Sequence, residues 1–133
     1  MSERCRMKER KALLFCSLLL ICLSGCGNTQ EPHLVLSHYQ YDLGRVKRGQ
    51  IYNGEIYVYN RGGAMLEINR CQADCNCAQV SINKRQIDVG DSAILRFFID
   101  TKNKVGETTN IIFLEANTDS LVHYAEIHAT VED

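Results

Sequence analysis

From residue 34 onward, apolar and polar positions alternate with a period of two, and no window sustains a helical period. Leu34-Val35-Leu36 and Tyr39-Gln40-Tyr41 predict a bent first strand. Ile51 to Asn60 predicts another, with Tyr52, Ile56 and Val58 on one face and Asn53, Glu55 and Tyr57 on the other. Arg61-Gly62-Gly63 predicts a tight hairpin, because glycine tolerates positive φ. Leu66 and Ile68 then share a face. Val80 with Ile82, and Ile87 with Val89, predict two short strands, and Ala93, Leu95, Phe97 and Ile99 predict a longer one. Ile111 to Ala116 is apolar except at Glu115, as in a strand covered on both faces or only partly exposed. The last strand carries Ala125, Ile127, Ala129 and Val131 on one face. About seven or eight short strands, separated by turns, predict an all-β fold: a two-sheet β-sandwich. Its expected core is Ile56, Val58, Leu66, Ile68, Leu95, Phe97, Ile112, Leu114 and Ile127.

The amino-terminal segment has a different pattern. Arg4, Arg6, Lys8, Arg10 and Lys11 precede an apolar run from Ala12 to Leu23, which ends in Leu23-Ser24-Gly25-Cys26. A basic region, a short apolar region and small residues before a cut site make a helical secretory signal. The run would rise about 18 Å as a helix, short of the roughly 30 Å of a bilayer core, which argues against a spanning anchor. The small-residue site ending in Cys26 resembles the lipobox of bacterial lipoproteins. That resemblance implies diacylglycerol on the Cys26 thiol, cleavage before Cys26, and acylation of its new amino group by a fatty acid such as palmitate. Residues 1–25 are then a signal peptide that is removed, 26–33 a lipidated tether and 34–133 the folded domain. Gly27, where an Asp favours inner-membrane retention, points to the outer membrane.

Composition narrows the function. The 108 residues after the cut suffice for one domain with a single core. Ten of the fifteen Lys and Arg and fourteen of the sixteen Asp and Glu remain, a balance of −4. That surface does not suit nucleic acid, which needs clustered positive charge. The basic cluster Arg45, Lys47 and Arg48 falls in a predicted turn, where a solvated loop explains it.

Of the seven cysteines, Cys5, Cys16 and Cys22 leave with the signal, Cys26 carries lipid, and Cys71, Cys75 and Cys77 remain. They are expected in a single loop between strands, in an oxidising compartment that permits a disulfide. Three readings follow. One is a structural disulfide from Cys71 to Cys75 or Cys77, because a Cys75–Cys77 ring is unusually small. Another is a thiolate site for Cu or Zn built by Cys71, Cys75 and Cys77, with His38, His123 or His128 as a further ligand if folding brings one near. The last is redox exchange through an activated thiol, with Arg70 favouring and Asp74 opposing the thiolate. His128 alternates against the apolar face of the last strand and reads as exposed. Tyr57 and Tyr59 share a strand face and form a candidate surface for sugar or protein. No catalytic triad, phosphate-cradling loop or Rossmann pattern occurs, so nothing in the sequence asks for an enzyme or a resident cofactor.

The order of these features resembles domain of unknown function 1573, an immunoglobulin-like family of Gram-negative lipoproteins, over about residues 34 to 131. Tyr41-Asp42-Leu43-Gly44-Arg45-Val46 with Gly49 resembles the family's opening. Ile56, Val58 and Asn60 followed by Gly62 resemble its strand end, and Leu66-Glu67-Ile68 followed by Cys75-Asn76-Cys77 its strand and cysteine loop. Val89-Gly90-Asp91 stands where the family has Pro-Gly-Glu or Pro-Gly-Asp, and Gly106, Ile112, Leu114 and Asn117 match its late strand. Leu43, Asn76, Ala78 and Val89 depart from that pattern, and Cys71 occupies an ordinarily aliphatic position. The resemblance implies an immunoglobulin-like sandwich in the cell envelope, with the membrane and another envelope protein or glycan as partners. The expected role is a lipid-anchored, non-catalytic binding or assembly module. Its rivals are a thiol-dependent Cu or Zn lipoprotein and a redox-active envelope protein.

Overall fold

The computed structural model describes residues 30–133. The expected signal segment 1–25 and Cys26, the expected lipid anchor, therefore lie outside the described residues. The described chain forms nine strands: β1 (Leu34–Leu36), β2 (Gln40–Lys47), β3 (Ile51–Asn60), β4 (Leu66–Ala73), β5 (Ala78–Ile82), β6 (Gln86–Ile87), β7 (Ser92–Asp100), β8 (Gly106–Ala116) and β9 (Val122–Glu132). They build a four-stranded sheet in the order β1-β3-β7-β5 and a five-stranded sheet in the order β2-β9-β8-β4-β6. The two sheets bury the inward side chains between them, an all-β sandwich. All nine expected core residues are buried, none more than 2% exposed.

The chain changes sheet at every connection from β1 to β8, and only β8 and β9 are consecutive partners. This separates the observed fold from the sequence reading in three places. The expected bent first strand is two strands. β1 pairs with β3, whereas β2 lies parallel to β9 in the other sheet. Arg61-Gly62-Gly63 is a passage between sheets rather than a hairpin, and Gly62 is not among the glycines with positive φ. A side chain there would strike the backbone of Glu31 to His33, which Arg61 and Gly63 hold through amide hydrogen bonds to His33 and Glu31 carbonyls of 2.8 and 2.9 Å. Close backbone approach is thus what requires glycine. Val89 lies outside β6 and is exposed, because the pairing of Leu66 with Ile87 ends that short strand.

The basic cluster behaves as a solvated surface. Arg45 pairs with Glu132 at 3.4 Å and Arg48 with Asp133 at 3.3 Å, all largely exposed. Arg45 and Lys47 stand on β2, however, and only Arg48 is in the turn after it.

Candidate functional site

The three cysteines do not share one loop. A bulge between Ile68 and Arg70 resets the alternation of β4, so Cys71 and Ala73 pack against the core beside Leu66 and Ile68. Cys71 is held in the ladder opposite Leu114, within a strand rather than after it. Burial pushes its thiol up to about 11, and the charge of Arg85 only partly offsets this.

Cys75 and Cys77 are joined to each other by a disulfide, and Cys71 is free. The expected bridge from Cys71 is therefore corrected. The ladder fixes Cys71 toward the core, while the turn after β4 draws the Cα atoms of Cys75 and Cys77 to 5.2 Å. A fully extended chain would hold such neighbours about 6.6 Å apart, and 5.2 Å lies within ordinary disulfide reach. With two of the three sulfurs bonded together, the thiolate trio Cys71, Cys75 and Cys77 is not assembled for a metal. Among the described residues no three His, Cys, Asp or Glu side chains converge. The histidines are engaged elsewhere: His38 with Ser37 at 3.0 Å, His123 with Thr118 at 2.7 Å, and His128 with Thr109 at 3.0 Å and Glu126 at 3.2 Å.

Asn110 is the residue that the sequence reading missed. It sits on the inward face of β8 and is 3% exposed, a polar side chain where alternation calls for an apolar one. Its Nδ2 stands 3.0 Å from Sγ of Cys75, 3.4 Å from Sγ of Cys77 and 3.4 Å from Oδ1 of Asp74. The signal was present in the sequence as an Asn two positions before Ile112 and four before Leu114, on the same face.

A second constellation lies at the β2–β9 edge of the same five-stranded sheet. The parallel pairing of β2 with β9 sets Gln40 opposite Glu126, and the Glu126 amide donates to the Tyr39 carbonyl at 2.8 Å. Tyr39, Gln40, Ser120, Val122, His123, Tyr124 and Glu126 then line an open cleft of about 500 Å³. Tyr39 is 51% exposed and Tyr124 56%. Leu121, beside the cleft residue Val122, continues the apolar surface, and both are open to solvent. Burial, and then the charge of neighbouring His33, lower the pKa of His123 from the usual imidazole value, which favours its neutral form. Sequence alone could not join Tyr39 to Tyr124, because the parallel pairing that does so is non-local.

Tyr57 and Tyr59 do share the outer face of β3, but they stack on each other with centroids 6.2 Å apart at 16°. The guanidinium of Arg61 covers Tyr59 at 4.9 Å. Their ring faces are thus partly occupied from within the molecule.

The matching family model, described as protein of unknown function (DUF1573), covers residues 34–131, from β1 into the last strand. The chain belongs to the DUF1573 family. No curated protein matches the sequence. Among solved structures, the DUF1573 domain is similar to a protein of unknown function from Porphyromonas gingivalis W83, at 16% identity and a TM-score of 0.69. That match covers 81% of this chain and 50% of the other. It is also similar to the secreted serine protease VesC from Vibrio cholerae, at 13% identity and TM-score 0.58, over 79% of this chain and 24% of that one. An ASH/PapD-like domain of human CEP192 aligns at 5% identity and TM-score 0.59, over 84% of this chain and 96% of that domain. The chain thus spans half or less of the two bacterial proteins. At these identities the likeness is one of fold.

Proposed function

We propose that this DUF1573 domain is a lipid-anchored, non-catalytic binding or assembly module of the cell envelope, engaging a protein partner through the cleft between Tyr39 and Tyr124. The observation that carries this reading is the convergence of two tyrosines, each more than half exposed, on one cleft from opposite ends of the domain sequence. Tyrosine contributes a large contact area at low entropic cost and is enriched where proteins meet. Gln40, Ser120 and Glu126 supply a polar rim, and Leu121 extends the apolar contact of Val122 beyond the cleft, which suits a protein side chain better than a sugar ring. The lipid on Cys26 and sorting to the outer membrane follow from the lipobox resemblance and belong to the same proposal.

A pull-down from native envelope, with the lipidated protein as bait, tests the reading. Wild-type protein is expected to capture a partner that Tyr39→Ala/Tyr124→Ala protein of equal stability does not. Equal capture by both would move the binding site elsewhere.

A further inference from the structure

We propose that the Cys75–Cys77 disulfide is a thiol–disulfide exchange site, entered by a dithiol protein at Cys77, with Cys75 as the leaving sulfur received by the amide of Asn110. This goes beyond the binding role and rests on different residues.

The two sulfurs are placed unequally. Cys75 packs against the core and has the Asn110 amide at 3.0 Å. Cys77 is farther from the same amide, at 3.4 Å, and opens to two adjoining clefts. One, of about 400 Å³, is lined by Asn76, Cys77, Asp100, Lys102, Asn103 and Lys104. The other adds Ile51, Gln79 and Phe98, of which Ile51 and Phe98 are exposed. An incoming chain can therefore rest apolar side chains on Ile51 and Phe98 while its thiolate approaches Cys77 beside two lysines.

A structural explanation for this bridge is poor. It spans a sequence separation of two and links no two strands. Disulfides restrict the unfolded chain least when the closed loop is shortest. A hydrogen-bond donor aimed at sulfur, by contrast, has a clear chemical use. A thiolate accepts such a bond far more strongly than a neutral disulfide, so the amide stabilises charge that develops during cleavage. A better leaving thiolate departs faster. Asp74 also faces the Asn110 amide, at 3.4 Å, but the Cys75 sulfur is nearer. Backbone bonds hold the loop in place through the reaction: Asp74 N–H to the Ile111 carbonyl at 2.9 Å, and Asp100 N–H to the Cys77 carbonyl at 2.8 Å.

The steps balance as follows. A thiolate of the partner attacks Sγ of Cys77, forming a mixed disulfide, and the electron pair of the old S–S bond leaves on Sγ of Cys75. The partner's second thiol, deprotonated, attacks the partner sulfur of the mixed disulfide and expels Cys77 as a thiolate. The partner dithiol is oxidised by two electrons to a disulfide. Cys75 and Cys77 are reduced to a dithiol, taking up the two protons that the partner released. Cys71 takes no part, since it lies in the ladder and stays protonated at neutral pH.

The test uses the purified full-length lipoprotein in detergent, with glutathione as the probe for entry and dithiothreitol for reduction. Brief exposure to glutathione, acid quenching, alkylation and peptide mass spectrometry should find glutathione on Cys77 and the alkyl group on Cys75. Reduction by dithiothreitol should be about tenfold slower in Asn110→Ala, the factor expected from losing a charge-assisted hydrogen bond to the leaving group. Glutathione found on Cys75, or a disulfide that resists millimolar dithiothreitol, would overturn the proposal. So would an unchanged rate in folded Asn110→Ala. The mapping needs no variant, so it decides even if Asn110→Ala fails to fold. Neither readout involves Tyr39 or Tyr124, so failure here leaves the partner-binding reading untouched.

Discussion

Gly54 and Phe97 are register partners on β3 and β7, and the missing side chain of one is the space that the ring of the other fills. Tyr41 closes over the same ring edge to face, with centroids 5.1 Å apart at 81°. Three residues from three strands thus form one unit at the side of the sandwich, and Gly54 is required for contact rather than for its backbone angles. Gly54→Ala is expected to destabilise the domain by about 1–3 kcal/mol through overpacking. Phe97→Ala should cost about 3–5 kcal/mol through the cavity it leaves. Urea denaturation of the three proteins measures both.

Asn60 ties the passage after β3 to the rest of the domain. It is fully buried, donates to the carbonyls of Ala64 at 2.7 Å and Ile87 at 3.0 Å, and accepts from the Gly62 amide at 3.0 Å. Leucine has a similar volume and none of these groups. Asn60→Leu should therefore lose more than either single bond is worth, about 1–3 kcal/mol for each backbone group left unmet. The same denaturation experiment gives the value, and retention of wild-type stability would contradict the assignment.

The core was legible because period-two alternation marks inward positions directly: Leu95 and Phe97 on β7 and Ile112 and Leu114 on β8 are all buried as the pattern requires. Connectivity was less legible. Alternation shows which face a residue takes but not which sheet its strand joins, so the passage at Gly62 looked like a hairpin. The cysteines failed for a related reason. The bulge at Asn69 lengthened β4 past Cys71, and neither a bulge nor its register leaves a mark in hydrophobic pattern. The cleft between Tyr39 and Tyr124 depends on a parallel pairing of distant strands and was invisible for that reason.

Cys71 should be a slow thiol. Its folded value is raised from 9.0 to about 11 by burial, so it is protonated at neutral pH and reacts with iodoacetamide more slowly than an exposed cysteine. The sign for stability follows from the raised value. Its contribution is fully present below 9.0 and is lost as the pH rises through about 11, because the unfolded chain ionises first. Thermal melts between those limits should decline more steeply for wild type than for Cys71→Ala. Every other side chain is common to the two proteins, so the difference isolates Cys71. Parallel declines would contradict it.

Lipid anchoring makes its own demand. Cys26→Ala should abolish incorporation of a fatty-acid analogue and leave either a soluble protein or an uncut precursor. Each buried methylene contributes about 0.8 kcal/mol, so two or more acyl chains hold a protein at the membrane and their loss is readily seen by fractionation. Unchanged labelling of Cys26→Ala would contradict the lipobox reading.

The binding role is tested most directly by a photo-crosslinking side chain in place of Tyr124, in the lipidated protein in living cells. Glu107, on β8 and facing solvent away from the cleft, is the control position. The account predicts a discrete crosslinked protein from position 124, absent from position 107 and lost when Tyr39→Ala is added. The same crosslinked product from both positions, or one from 124 that Tyr39→Ala leaves unchanged, would contradict a partner seated between Tyr39 and Tyr124.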